Sequence, residues 1–203
     1  MLDGSINHFL DELQSNAPVP GGGSTSALAG ALGAALGHMA GALTVGKPKY
    51  ADVDGELREM MTRMEDLRSR LGECVNKDVQ AFEPLSRAYK IPKDDPDRER
   101  VLEECLRNAA AAPMEIMELC CEAMEVNKVF TEKASWLVIS DAATGSQLCR
   151  AALFGGALNV KVNTKLMKDR EYAESMNKRV DELLERYGAA ADEIYRAVFE
   201  RFS

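Results

Sequence analysis

The sequence predicts an all-α fold: an elongated multi-helix bundle with a central apolar helix and a Gly/Ala-rich close-packing helix. Three observations carry that expectation. Apolar residues recur at steps of three and four in every long segment, without clean period-2 alternation. Prolines, glycines and cap residues cut the chain into helix-sized pieces. Of the 203 residues, 46% are hydrophobic, enough for one core and one domain over residues 1–203.

Taken in order, Ser5 caps a short first helix carrying Ile6, Phe9, Leu10 and Leu13, which Pro18 and Pro20 stop. Gly21, Gly22, Gly23 and Ser24 open the second helix, and no charged residue occurs from Ser24 to Gly46. This stretch is mostly Ala and Gly and contains His38, so it supplies too little transfer free energy for a membrane span and reads as a buried helix. Gly30, Gly33, Gly37 and Gly41 line one side of it, with Ser26 continuing the stripe. Each costs about 0.5–1 kcal/mol relative to Ala in a helix interior. The stripe therefore demands a close approach, by another helix of this chain or a second subunit, or by a ligand.

The third helix is expected from Asp52 to Tyr89. Its apolar stripe runs Leu57, Met60, Met64, Leu67, Leu71 and Cys74, then resumes at Ala81 or Phe82, Leu85 and Tyr89. The step after Cys74 lands on Asp78, a carboxylate where the pattern asks for an apolar side chain. Asp95 and Pro96 make an N-cap and first position for a fourth helix, which Pro113 is expected to kink or break. A further helix is expected over Glu132 to Ile139. Ser140 or Asp141 then caps an almost wholly apolar segment through Leu166, which belongs at the centre of a bundle. Gly145, Cys149, Ala152, Gly156, Asn159 and Asn163 form a narrow small and polar stripe along it. Asp169 caps a last helix of about 34 residues, or about 50 Å. A compact chain of this size is only about 43 Å across, so the bundle should be elongated.

Composition removes several classes of function. Lys plus Arg is 25 and Asp plus Glu is 33, a net charge of −8, opposite to the balance of a nucleic-acid binder. Five cysteines without a C-x-x-C pattern read as reduced core thiols of a cytoplasmic protein. The N-terminus has no basic segment leading an apolar run, so no signal peptide is expected. His8 and His38 lie far apart, which predicts no metal site, and the serines offer no G-x-S-x-G elbow.

Two features remain for chemistry. A core-facing Asp78 must be hydrogen-bonded, paired with a buried Arg or Lys, or functional, because an isolated buried charge is costly. Lining a cleft, it would be a general acid or base. Pro18 through Ser24 forms a Gly-rich turn at a helix N-terminus, where backbone N–H groups can face an anion or serve only a tight turn. The turn is neither a P-loop nor a dinucleotide fingerprint. Lys47 and Lys49 follow the glycine helix, and Lys161, Lys165, Lys168 and Arg170 follow the apolar one. Singly they complement helix dipoles; together they suit carboxylates.

These segments, in this order and spacing, resemble the cyclodeaminase/cyclohydrolase family of folate one-carbon metabolism over nearly the whole chain. Ala17 to Ala27 (A-P-V-P-G-G-G-S-T-S-A) is similar to the family's A-P-x-P-G-G-G-S-x-x-A opening, and Gly46-Lys47 to its G-[KR] turn. Val75 to Phe82 matches its x-D-x-D-x-x-A-[FY] segment, and Ser140-Asp141 and Gly155 to Asn163 resemble its S-D and G-A-x-x-N-V-x-x-N signatures. The resemblance implies an all-helical homodimer and a tetrahydrofolate substrate, which can be polyglutamylated, with no further cofactor. It implies one of two reactions: hydrolysis of 5,10-methenyltetrahydrofolate to 10-formyltetrahydrofolate, or closure of 5-formiminotetrahydrofolate to the methenyl form with loss of ammonia. A chain without room for a fused formiminotransferase domain favours the cyclohydrolase.

The family's catalytic aspartate corresponds to Asp78, moving a proton between attacking and leaving groups. Asn76 stands where many relatives carry an acid, so Asp78 is the motif's one carboxylate. The resemblance puts Pro20, Gly21, Gly22, Gly23, Ser24, Lys47, Asp141, Asn159 and Asn163 at the substrate, Lys47 with the Lys161–Arg170 cluster on its glutamate tail and the two asparagines on its pterin. The competing class is a non-catalytic folate-binding or helical dimerisation module.

Overall fold

The computed structural model describes residues 2 and 4–203; Met1 and Asp3, on which the expectation of no signal peptide partly falls, lie outside the described residues. Seven α-helices, α1 to α7, make up the fold, and no strand occurs among the described residues. Helix α1 (Ile6–Leu13) begins as expected, with Ser5 Oγ accepting from the His8 N–H at 3.1 Å. It buries Phe9 but leaves Ile6 and Leu10 exposed.

Helix α2 (Gly22–Ala42) packs against α3 (Asp54–Ala88), α4 (Arg98–Lys133) and α5 (Ile139–Thr164). The glycine stripe is explained by these neighbours. A Cβ on Gly30 would meet Cys120 Sγ at 2.7 Å, and one on Gly33 would meet the Gly145 carbonyl at 2.5 Å. Gly37 faces Asn127 and Met64, and Gly41 faces Met61 and Phe130. Close helix packing within this one chain therefore accounts for all four glycines.

Helix α3 starts at Asp54, two residues later than expected, because a 3₁₀ segment over Pro48–Val53 precedes it. Gly46, at φ 78°, donates its N–H to Asp54 Oδ1 at 2.5 Å and fixes that corner. The stripe from Leu57 to Cys74 is buried as predicted, while Ala81 and Phe82 are only half-buried.

Helix α4 corrects three expectations. It starts at Arg98, and Asp95 instead closes a local turn by accepting from the Asp97 N–H at 2.9 Å. It runs unbroken for 36 residues through Pro113. A proline leaves the carbonyl four residues back without its helical donor; here that is Ala109, and Asn163 Nδ2 donates to it at 3.3 Å. No separate helix covers Glu132 to Ile139, because α4 continues to Lys133 and the chain turns over residues 134–138. The Ser135 N–H donates to Thr44 Oγ1 at 2.9 Å, which fastens this turn to the end of α2.

Helix α5 has Val138 as its N-cap, with Ser140 and Asp141 inside its first turn rather than capping it. It packs against α2, α4, α6 (Arg170–Tyr187) and α7 (Ala190–Phe199). Asp169 caps α6 as expected, accepting from the Tyr172 N–H at 3.0 Å. The single long last helix does not form. Gly188 ends α6, Arg150 Nε takes the Gly188 carbonyl at 2.9 Å, and Gln147 Nε2 takes that of Ala191 at 2.8 Å. These two α5 side chains fold α7 back onto α5. Elongation survives through other helices: the 35 and 36 residues of α3 and α4 each span about 52–54 Å. All five cysteines are free thiols, four buried and Cys105 half-buried. No helix among the described residues is long and apolar enough to cross a membrane.

Candidate active-site cleft

The N-terminus of α2 meets the last third of α3 at Asp78. The Ser24 hydroxyl, itself buried, donates to Asp78 Oδ2 at 2.7 Å. The approach is close enough that any Cβ on Gly23 would overlap Asp78 Oδ1, so glycine there is a condition for the carboxylate's position. No lysine or arginine pairs with Asp78 among the described residues; its neighbour Lys77 is turned to Glu115, at 2.8 and 2.9 Å. The structural alternative of a buried ion pair is therefore not what holds this acid.

Asp78 faces a cleft of about 300 Å³ between α2, α3, α4 and α5. Gly21, Gly22 and Gly23 form one edge, where the first N–H groups of α2 have no partner within the helix. Phe82, Leu85 and Tyr89 continue the wall along α3, and Val162 and Leu166 close it from α5 and beyond. Asn159 and Asn163 complete the lining, one turn apart on α5. Asn159 Nδ2 is bound to the Gly155 carbonyl at 2.8 Å, and the amide packs against Gly22, where an added Cβ would meet Nδ2 at 3.2 Å and Oδ1 at 3.6 Å. Asn163 Nδ2 bridges the carbonyls of Asn159 and Ala109 at 2.8 and 3.3 Å. Its amide thus has a structural task, completing α4 at Pro113. The cleft combines a carboxylate, amide groups, a helix N-terminus and two aromatic rings in an otherwise apolar hollow, a lining suited to a flat heterocyclic ligand.

Of the ten site positions expected from sequence, seven gather here: Gly21, Gly22, Gly23, Ser24, Asp78, Asn159 and Asn163. Pro20 is buried just behind the turn, while its neighbours Pro18 and Val19 line the cleft. Lys47 and Asp141 are elsewhere. Lys47 lies beyond the far end of α2, about 30 Å along the helix from Gly23, and Asp141 about 27 Å along α5 from Asn159. Three of the four members of the second basic cluster are engaged within the chain, while Lys165 is exposed beside the lining residue Leu166. Lys161 pairs with Asp181 at 2.8 Å and Lys168 with Glu99 at 3.3 Å, and Arg170 binds the Thr164 and Met167 carbonyls at the end of α5. The dipole-complementing role therefore describes Arg170. Phe82, Leu85 and Tyr89 were legible only as core stripe, since the same periodicity serves a wall around a hollow. Among the described residues no three His, Cys, Asp or Glu side chains group to hold a metal ion.

The Formiminotransferase-cyclodeaminase family model matches residues 5–182. The chain belongs to this family. A relative called methenyltetrahydrofolate cyclohydrolase, from Methylorubrum extorquens, is 38% identical over 198 residues, covering 96% of this chain and 95% of that protein. The formimidoyltransferase-cyclodeaminase of Rattus norvegicus is 30% identical over 189 residues, but there the match spans only 35% of the relative's length. The crystal structure of formiminotetrahydrofolate cyclodeaminase from Thermotoga maritima superposes with a TM-score of 0.83 at 28% identity, covering 97% of this chain and 94% of that one. The family's fold and the helical bundle described here thus coincide over nearly the full chain.

Proposed function

We propose that this chain is an enzyme of folate one-carbon metabolism, a methenyltetrahydrofolate cyclohydrolase in which Asp78 is the general acid and base. The observation that carries the reading is a carboxylate without a cationic partner, oriented by Ser24, at an aromatic and apolar cleft. The end-to-end likeness to the Methylorubrum extorquens cyclohydrolase supports it.

The chemistry needs one proton carrier. The methenyl carbon between N5 and N10 belongs to a cation, which a nearby carboxylate stabilises. Water adds to that carbon while Asp78 takes one of its protons, giving a neutral tetrahedral adduct. Asp78 then returns the proton to N5 as the C–N5 bond breaks. The remaining hydroxyl loses its proton to solvent as the carbonyl forms, leaving the formyl group on N10. Positioned proton transfer of this kind contributes about 10²–10⁴-fold.

Methenyltetrahydrofolate absorbs in the near ultraviolet, and the wild-type protein is expected to accelerate its loss. Asp78→Asn should reduce that rate by about 10²–10⁴ with the fold intact. An Asp78→Asn rate equal to wild type, with binding unchanged, would leave a non-catalytic folate-binding or dimerisation module. The superposition on the Thermotoga maritima cyclodeaminase favours one second reading, closure of formiminotetrahydrofolate with release of ammonia. Ammonia release without methenyl hydrolysis would select it.

The same reading treats residues 1–203 as one functional unit in the cytoplasm, where five unpaired thiols stay reduced. Its substrate is a tetrahydrofolate with one or more glutamates, no further cofactor takes part, and the working form is a homodimer. An uncharged, exposed face on α2 and α5 supports the dimer.

A further inference from the structure

Across Tyr89 and Leu166, which line both, the cleft meets a second hollow of about 300 Å³. The two lie one after the other along the same pair of helices. On α3 the wall passes from Asp78 through Phe82 and Leu85 to Tyr89, about 16 Å of helix. On α4 it passes from Ala109 through Leu106 and Leu102 to Arg98, also about 16 Å.

Arg98 gives the second hollow a cation. Its Nε donates to the Ile91 carbonyl at 2.9 Å, which anchors the guanidinium and leaves both terminal nitrogens as donors. No carboxylate pairs with it among the described residues, whereas the other two arginines of α4 are paired, Arg100 with Asp97 and Glu104 and Arg107 with Glu103 and Asp169. The two acids of the hollow are engaged elsewhere. Glu99 pairs with Lys168 at 3.3 Å, and Glu103 accepts from the Lys168 and Asp169 N–H groups at 2.7 and 3.3 Å. A half-buried guanidinium with a free edge is matched to a carboxylate, which it can hold through two parallel hydrogen bonds.

We propose that the second hollow is a subsite for the glutamate of a tetrahydrofolate, and that Arg98 binds one of its carboxylates. The inference rests on the folate reading of Asp78. A folate has three parts in line: the pterin with its one-carbon unit, an aminobenzoyl ring and a glutamate. The two hollows offer matching surfaces in the same order: the acid and amides beside the start of α2, then Leu85, Tyr89 and Leu166, then the guanidinium. The first cleft alone, about 300 Å³, is at the small end of ligand pockets, which run from about 300 to 1,000 Å³. The pterin fills it, and the rest of the molecule needs the neighbouring space. Arg98 lies far from the reacting carbon, so it binds ground state and transition state alike and acts on KM rather than on kcat.

Calorimetric titration with 5-formyltetrahydrofolate and with 5-formyltetrahydropteroate, which lacks the glutamate, tests the subsite independently of turnover. Wild type should bind the folate about tenfold or more tightly than the pteroate, the scale of a charge-assisted hydrogen bond. Arg98→Gln keeps a donor for the Ile91 carbonyl and loses the charge. It should bind the folate about tenfold or more weakly than wild type does, and the pteroate equally well. Arg100→Ala removes the same charge two residues away, outside the lining, and should change neither affinity. In turnover, Arg98→Gln should raise KM by the same factor at nearly wild-type kcat. Equal losses for both compounds in Arg98→Gln, an unchanged affinity for the folate, or the same loss in Arg100→Ala overturns the subsite. So does a wild type that does not distinguish the two compounds. A wild type that binds neither overturns the folate reading itself, and the subsite falls with it.

Discussion

Asp78 and Ser24 are separated by 54 positions, yet they form the hydrogen bond on which the cleft is centred. A bond to an ionised acceptor is worth about 1.5–3 kcal/mol. Where that bond orients the carboxylate for proton transfer, its loss should cost at least tenfold in kcat. Ser24→Ala is therefore expected to lower kcat by about tenfold or more while leaving the unfolding midpoint nearly unchanged, because the cleft gives the carboxylate access to water. Steady-state rates beside a thermal melt check both halves. Asp78 itself was legible in the sequence because it breaks an apolar stripe, and a charge in that register demands a reason. Its partner was not, since Ser24 reads equally well as part of a helix opening. Asn163 was harder still: its amide closes the gap that Pro113 leaves in α4, and a pairing between positions 54 residues apart leaves no local trace. The helix therefore continues through Pro113 instead of breaking there.

At the scale of helices, the glycine stripe marked close packing correctly, and the structure turns it into a graded prediction. A methyl at Gly33 would meet a backbone carbonyl at 2.5 Å and Cys149 Sγ at 2.6 Å, and the carbonyl cannot rotate away as a side chain would. Gly33→Ala should destabilise by about 1–3 kcal/mol. Gly55, in the first turn of α3, has nothing within 4 Å of an added methyl. Gly55→Ala should stabilise by up to about 0.5–1 kcal/mol through helix propensity. Chemical denaturation of the pair reads the opposite signs. Helix ends were less legible than helix faces. Asp169 was recognisable as a cap because its side chain acts locally, whereas the break at Gly188 depends on Arg150 and Gln147 reaching across from α5. The Asp169 cap also carries a pH signature. The Tyr172 N–H, then the Arg107 guanidinium, hold its carboxyl below the usual carboxylate range. A depressed folded value means that its stabilisation is present above about pH 4, where the unfolded group is also ionised. It is lost as pH falls below that and through the folded value. Asp169→Asn should thus lose less stability than wild type between pH 5 and pH 3 in urea melts, by removing this proton uptake.

The whole molecule places its cleft where four helices converge: the start of α2, the last third of α3, the first half of α4 and the last turns of α5. No helix holds the site alone, so a ligand there engages the folded bundle and has little to bind in the unfolded chain. Such a ligand at 100 times its dissociation constant adds about 2.7 kcal/mol to the free energy of unfolding. In a chain of this length that corresponds to about 5–10 °C in Tm. The stable analogue 5-formyltetrahydrofolate should produce a shift of this size in wild type. It should do so in Asp78→Asn as well, since the hollow is shaped by Phe82, Tyr89 and the asparagines rather than by one charge. A variant that keeps the shift but loses turnover separates binding from catalysis within a single protein. A wild type that shows no shift with any reduced folate would instead leave the cleft a gap between helices, and the bundle a scaffold.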